Sequence, residues 1–106
     1  MAHLLTNQRH SVFTLSLKYP LLKNYTFEEL EKKNLKELQS FLNKVSNMTV
    51  DQVDKLYKRK SDKHDIFMES QINHYEVTPS FRIHGIIENG QFIVLRLDPN
   101  HKVHKT

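Results

Sequence analysis

Apolar and polar residues alternate most regularly in the last quarter of the chain. Residues 81–88 (Phe-Arg-Ile-His-Gly-Ile-Ile-Glu) and 91–97 (Gln-Phe-Ile-Val-Leu-Arg-Leu) flank Asn89-Gly90. That dipeptide supplies positive φ at both central positions of a type I′ turn, so the stretch Phe81–His104 is built on a predicted hairpin. A tight turn pairs Ile87 with Phe92, Gly85 with Val94 and Ile83 with Arg96 on one face. Ile86 with Ile93, His84 with Leu95 and Arg82 with Leu97 then fall on the other. One face is mostly apolar and the other carries Arg82 and His84. Pro99 has no N–H to donate, so regular pairing should weaken there.

Upstream, Phe13, Leu15, Leu17 and Tyr19 alternate with Thr14, Ser16 and Lys18, which predicts a half-buried strand over 12–19, ended by Pro20. Thr26-Phe-Glu-Glu29 has the form of a capping box. Phe27, Leu30, Leu35, Leu38, Phe41, Leu42 and Val45 follow with a spacing near 3.6, predicting a helix over about 27–46. A second box, Thr49-Val-Asp-Gln52, opens a shorter stripe of Val50, Val53, Leu56 and Tyr57. The short link between the two predicts a helical hairpin. Residues 61–73 are polar, with Ile66, Phe67 and Met68 expected to tuck a loop onto the core. Residues 74–77 predict a short strand closed by Pro79.

The order is β-α-α-β-β-β. It predicts an α+β domain with an N-terminal strand, a helical hairpin and then an antiparallel β-sheet. The helices would cover one sheet face and leave the other open to bind. With 106 residues the chain is expected to be one domain, 1–106, with 1–10 as a flexible lead-in.

Composition narrows the function classes. There is no cysteine, which excludes a disulfide scaffold and a thiolate metal site. No apolar run approaches the roughly 20 residues of a membrane span, and the first ten residues do not look like a secretory signal. A cytoplasmic protein with no membrane partner is the expectation. Sixteen Lys+Arg face twelve Asp+Glu, and seven histidines add charge at lower pH. That balance suits an anionic partner, either nucleic acid or an acidic protein. Lys55, Lys58, Arg59, Lys60 and Lys63 form a basic run at the end of the second helix; it reads either as a solvated helix end or as a phosphate contact. Only two glycines are present, and no Walker loop, GxSxG or HExxH motif occurs.

Three residues permit a specific chemistry. The Arg82 guanidinium can clamp a phosphate. The His84 and His101 imidazoles can move protons to or from ribose oxygens. RNA cleavage needs no more than such groups, because the 2′-hydroxyl is the nucleophile. The simpler reading of the same residues is that Arg82 pairs with a carboxylate such as Asp98 and the histidines are incidental. Asp98, His101 and His104 also make D-x-x-H-x-x-H, a weak zinc spacing. No metal or other cofactor is expected.

In size, charge, element order and the C-terminal third, the chain resembles the RelE/YoeB/HigB-type toxin superfamily of ribosome-dependent mRNA interferases. The residues that carry the resemblance are Phe81-Arg82-Ile83 and Asn100-His101-Lys102, with Arg82 and His101 nineteen positions apart across the Asn-Gly turn. The resemblance implies a toxin of a toxin–antitoxin system, an endoribonuclease cleaving mRNA without metal. Arg82 would hold the scissile phosphate, with His101 as general acid and His84 and Arg96 as helpers. Lys55, Lys58, Arg59, Lys60, Lys63, Arg96 and Lys102 would contact RNA. The partners implied are the ribosome and a cognate acidic antitoxin. The family's base has three candidate counterparts, Lys63, Glu69 and His74, and the family's closing aromatic is absent. The alternative function is a non-catalytic binding module of phage or mobile-element type on the same fold.

Overall fold

The computed structural model describes residues 11–103. The expected lead-in at 1–10 and His104 lie outside the described residues. The chain forms an α+β fold with two α-helices, a mixed five-stranded sheet and a small two-stranded ribbon. In chain order the elements are β1 (Leu15–Ser16), α1 (Lys32–Val45), α2 (Val50–Tyr57), β2 (Lys58–Arg59), β3 (Ile66–Phe67), β4 (Ser70–Gln71), β5 (Asn73–Glu76), β6 (Arg82–Glu88) and β7 (Gln91–Asp98). The large sheet runs β1-β7-β6-β5-β2, and β3-β4 stand apart. β1 joins β7 in parallel, so the sheet is antiparallel only across β7, β6, β5 and β2.

The β6-β7 hairpin forms about the Asn-Gly turn, with φ of 51° at Asn89 and 78° at Gly90. Its register departs from simple alternation. Ile87↔Phe92, Ile86↔Ile93 and Gly85↔Val94 pair as expected, but His84 then pairs with Arg96, Ile83 with Leu97 and Arg82 with Asp98. Leu95 is the extra residue of a β-bulge. Straight pairing would set Arg96 beside Ile83 on the helix-covered face. The bulge turns Arg96 to the opposite face and returns Leu97 to the core, where it is 2% exposed.

The predicted helix over 27–46 is split. Thr26 caps only a single 3-10 turn at Phe27–Glu29 through its hydroxyl, which accepts from the Glu28 N–H. Leu30 is extended, and α1 begins after its own box of Glu31 and Asn34. Glu29 therefore does not reach back as the first box requires. The second box forms as expected: Thr49 accepts from the Gln52 N–H, and the Gln52 side chain accepts from the Thr49 N–H. Of the basic run, only Lys55 lies in α2; Lys58 and Arg59 form β2.

Both sheet faces are covered. Leu38, Phe41 and Val45 of α1 and Val53 of α2 pack on Phe13, Tyr75, Phe81, Ile83, Phe92, Val94 and Leu97. The opposite face, expected to be open, carries a second cluster of Ile72, Ile86, Ile93 and Leu95 under Tyr19, Leu22 and Phe67. The 61–73 stretch supplies part of that cover through Phe67 and Ile72. It folds back as the β3-β4 hairpin, whose turn puts Met68 and Glu69 at φ of 48° and 69°. The strand expected over 12–19 is regular only at β1; beyond it Leu22 donates its N–H to the Leu95 carbonyl, and the Tyr25 carbonyl accepts from Leu97.

Candidate functional site

The bulge gathers the charged residues of the second face into two rungs across the sheet. Arg59, His74, His84 and Arg96 form one, in register across β2, β5, β6 and β7. Glu76, Arg82 and Asp98 form the next, toward the end of the sheet that carries His101.

The first rung is sealed from His74 to Arg96, while Arg59 at its edge end stays partly exposed. His74 is 2% exposed and His84 0%, and their rings stack with centroids 3.9 Å apart. Arg96 turns inward to Asp65, its Nη2 donating to the Asp65 Oδ2, and the same oxygen lies 3.4 Å from His74 Nε2. Asp65 reaches this position because its N–H bonds to the Asp62 carbonyl and its own carbonyl accepts from Ile72. Arg96 also lies over the Tyr25 ring at 6.0 Å, which suits a guanidinium. One carboxylate thus balances one guanidinium beside two buried imidazoles.

The second rung reaches solvent. Glu76 Oε1 accepts a hydrogen bond from Arg59 Nε at 3.2 Å and forms an ion pair with Arg82 Nη2 at 3.2 Å. Their side chains keep 14% of their surface for Arg82, 23% for Glu76 and 38% for Arg59. The carboxylate partner of Arg82 is therefore Glu76 across β5, not Asp98. The Asp98 carboxylate instead accepts from the backbone N–H groups of Lys102 and Val103, at 2.9 and 2.8 Å. Those two bonds fold the chain after Pro99 into a tight loop, with His101 at φ 51° and its N–H 3.4 Å from the Asp98 carbonyl. Arg82 stands opposite Asp98 in the strand register, and the His101 loop is folded by the Asp98 carboxylate, so both residues belong to the same end of the sheet. No hydrogen bond or ion pair joins their side chains among the described residues. A polar cavity of about 80 Å³, lined by Asn24, Tyr25, Glu29, Asp98, Asn100 and Lys102, adjoins the His101 loop.

The remaining basic positions are spread out. Lys55 is exposed and pairs with Asp51 one turn earlier at 3.1 Å. Lys58, Lys60, Lys63 and Lys102 are exposed. Of the three candidate bases, Lys63 and Glu69 lie on the surface and His74 is buried. Among the described residues no group of three acidic or imidazole side chains is placed to hold a metal. The Asp98 of the zinc spacing is occupied by backbone amides, and its His104 lies outside the described residues.

The chain matches no family model, no curated protein and no solved structure. The functional reading therefore rests on the geometry of these residues. Two that matter, Asp65 and Glu76, carried no motif. Glu76 was recoverable from alternation, since it falls on the His74 face of a predicted strand; Asp65 sits in a turn that no periodicity marks.

Proposed function

We propose that this chain engages RNA at the end of the sheet where Arg82 and His101 lie, and acts there as a RelE-type toxin: an endoribonuclease cleaving mRNA on the ribosome. The supporting observation is that Asp98 lies at the same end of the sheet as both residues, beside Arg82 in strand register and at the base of the loop that carries His101. A guanidinium placed on a non-bridging phosphate oxygen stabilises the charge that builds as the neighbouring 2′-hydroxyl attacks phosphorus. An imidazolium at His101 gives its proton to the departing 5′-oxygen. The 2′-hydroxyl proton passes to a base, and the products are a 2′,3′-cyclic phosphate and a 5′-hydroxyl. His84, sealed from solvent, supports Arg96 and His74 rather than touching RNA.

Induced expression tests this. The wild type should arrest growth and leave cut ribosome-bound mRNA, and Arg82→Ala, at a partly exposed ion pair, should do neither while remaining folded. A harmless wild type with intact mRNA overturns the reading. One observation favours the non-catalytic alternative: Arg82 is already neutralised by Glu76. That alternative expects RNA bound with a steep salt dependence and never cut.

A further inference from the structure

We infer that Glu76 is an internal stand-in for a phosphodiester: Arg59 and Arg82 form a two-guanidinium fork for one RNA phosphate, and Glu76 must leave it for RNA to bind. The inference rests on the RNA-directed reading above and adds the identity and regulation of the phosphate site.

Three features carry it. Two guanidiniums from different strands converge on a single oxygen, Glu76 Oε1, each at 3.2 Å. The trio bears a net charge of one positive, so the two guanidiniums are not fully neutralised by Glu76 and still attract an anion, and guanidiniums bind phosphate bidentately. Second, the fork has donors to spare. Arg82 Nε is buried with no hydrogen-bond partner, and the Arg59 guanidinium is fixed in direction by its Nη1 bond to the Lys58 carbonyl at 3.0 Å. Third, the site is reachable and its occupant exchangeable. β2 is the edge strand of the sheet, and a partly exposed ion pair is held weakly enough to be displaced. The other carboxylate of the rung, Asp98, faces the Lys102 and Val103 amides, which offset its charge toward an incoming phosphate.

The test is fluorescence anisotropy with a labelled single-stranded oligouridylate, from about 50 to about 200 mM salt. Wild type, Glu76→Gln and Arg59→Ala are compared, with circular dichroism confirming that each is folded. Glu76→Gln should tighten binding about tenfold, the size of one charge-assisted hydrogen bond. It should also steepen the salt slope by about 0.7, the increment for one more neutralised phosphate on a single strand. Arg59→Ala should weaken binding and flatten the slope by a similar amount; this variant keeps the Arg82–Glu76 pair and guards against a Gln variant that perturbs packing. If wild type binds RNA and Glu76→Gln leaves affinity and slope unchanged, the stand-in role is overturned while the RNA reading stands. If no variant binds RNA, both fall. Inorganic phosphate competing as well as a dinucleotide would make the ligand free phosphate and overturn the phosphodiester assignment.

Discussion

Gly85→Ala is the sharpest probe of the bulge. A Cβ at this position would sit 2.0 Å from the Ile93 carbonyl oxygen and 2.9 Å from Phe92 Cε1. Ordinary carbon–oxygen contact begins near 3.3 Å, so the new methyl lies more than an ångström inside the neighbouring backbone. A carbonyl in the strand ladder cannot swing away as a side-chain tip can. Relief requires β6 and β7 to part, or the bulge to move. Overpacking of this kind costs about 1–3 kcal/mol, and a backbone collision belongs at the upper end. The reduced freedom of the unfolded chain returns about 0.4–1 kcal/mol. The net loss is about 2 kcal/mol, which for a domain of this size lowers Tm by about 8–16 °C. Urea denaturation followed by circular dichroism measures it, with the slope m expected to hold steady while the midpoint falls. Gly90→Ala is the control: at φ 78° it carries the left-handed backbone penalty alone, about 1 kcal/mol. A Gly85→Ala protein no less stable than Gly90→Ala would refute the collision and, with it, the account of the bulge.

Three further outcomes are expected. Asp65→Ala leaves the Arg96 guanidinium buried without its carboxylate and should cost about 3 kcal/mol in urea denaturation, whereas Lys55→Ala, at an exposed pair, should change stability by less than about 0.5 kcal/mol. The Tyr75 phenol is held above its ordinary value of about 10, first by burial and then by its hydrogen bond to Asp54 at 2.5 Å. The native state thus keeps a proton that the unfolded state releases, so stability present below about pH 10 is lost as the pH rises past it. Urea midpoints at about pH 9 and about pH 11 should show this loss in wild type and much less of it in Tyr75→Phe. Met68→Asn with Glu69→Gly should raise Tm, because two residues held at positive φ give way to two that favour it, a gain of about 1–2 kcal/mol.

What the sequence made legible was local. Asn89-Gly90 and the Thr49–Gln52 box each hold their cause within four residues, and both form as read. Thr26 to Glu29 has the same local form but makes only one turn, because the chain must still travel to α1, and Leu30 extends to let it. The β3-β4 turn gave no signal: Met68 and Glu69 rarely adopt left-handed backbone, and tertiary packing of Phe67 against Tyr19 holds the hairpin instead. The parallel pairing of β1 with β7 is equally silent, since it joins residues more than seventy positions apart. For the candidate site, Arg82 was legible by residue type and place on a strand, and His101 and Arg59 by residue type alone, since His101 lies in a loop and Arg59 was expected at a helix end rather than on β2. Their carboxylate partners were not, since which acid faces which guanidinium depends on register.

Register is where sequence and chemistry meet in this fold. Read as a strict alternation, β7 offers Phe92, Val94, Arg96 and Asp98 to the helix-covered face. An arginine and an aspartate would then be buried against Ile83 and Phe81, in a core built of aliphatic and aromatic side chains. Burying such charges costs several kcal/mol each unless they are paired, far more than leaving one strand residue outside the ladder. The bulge at Leu95 removes both charges from the core in one step. It sets Arg96 against Asp65 and delivers Asp98 to the rung that holds Arg82, where the Asp98 carboxylate folds the His101 loop. The space for that step is the missing side chain at Gly85, where any Cβ would meet the Ile93 carbonyl. A demand of core electrostatics, met by one glycine, thus decides which residues share the end of the sheet where RNA is proposed to bind.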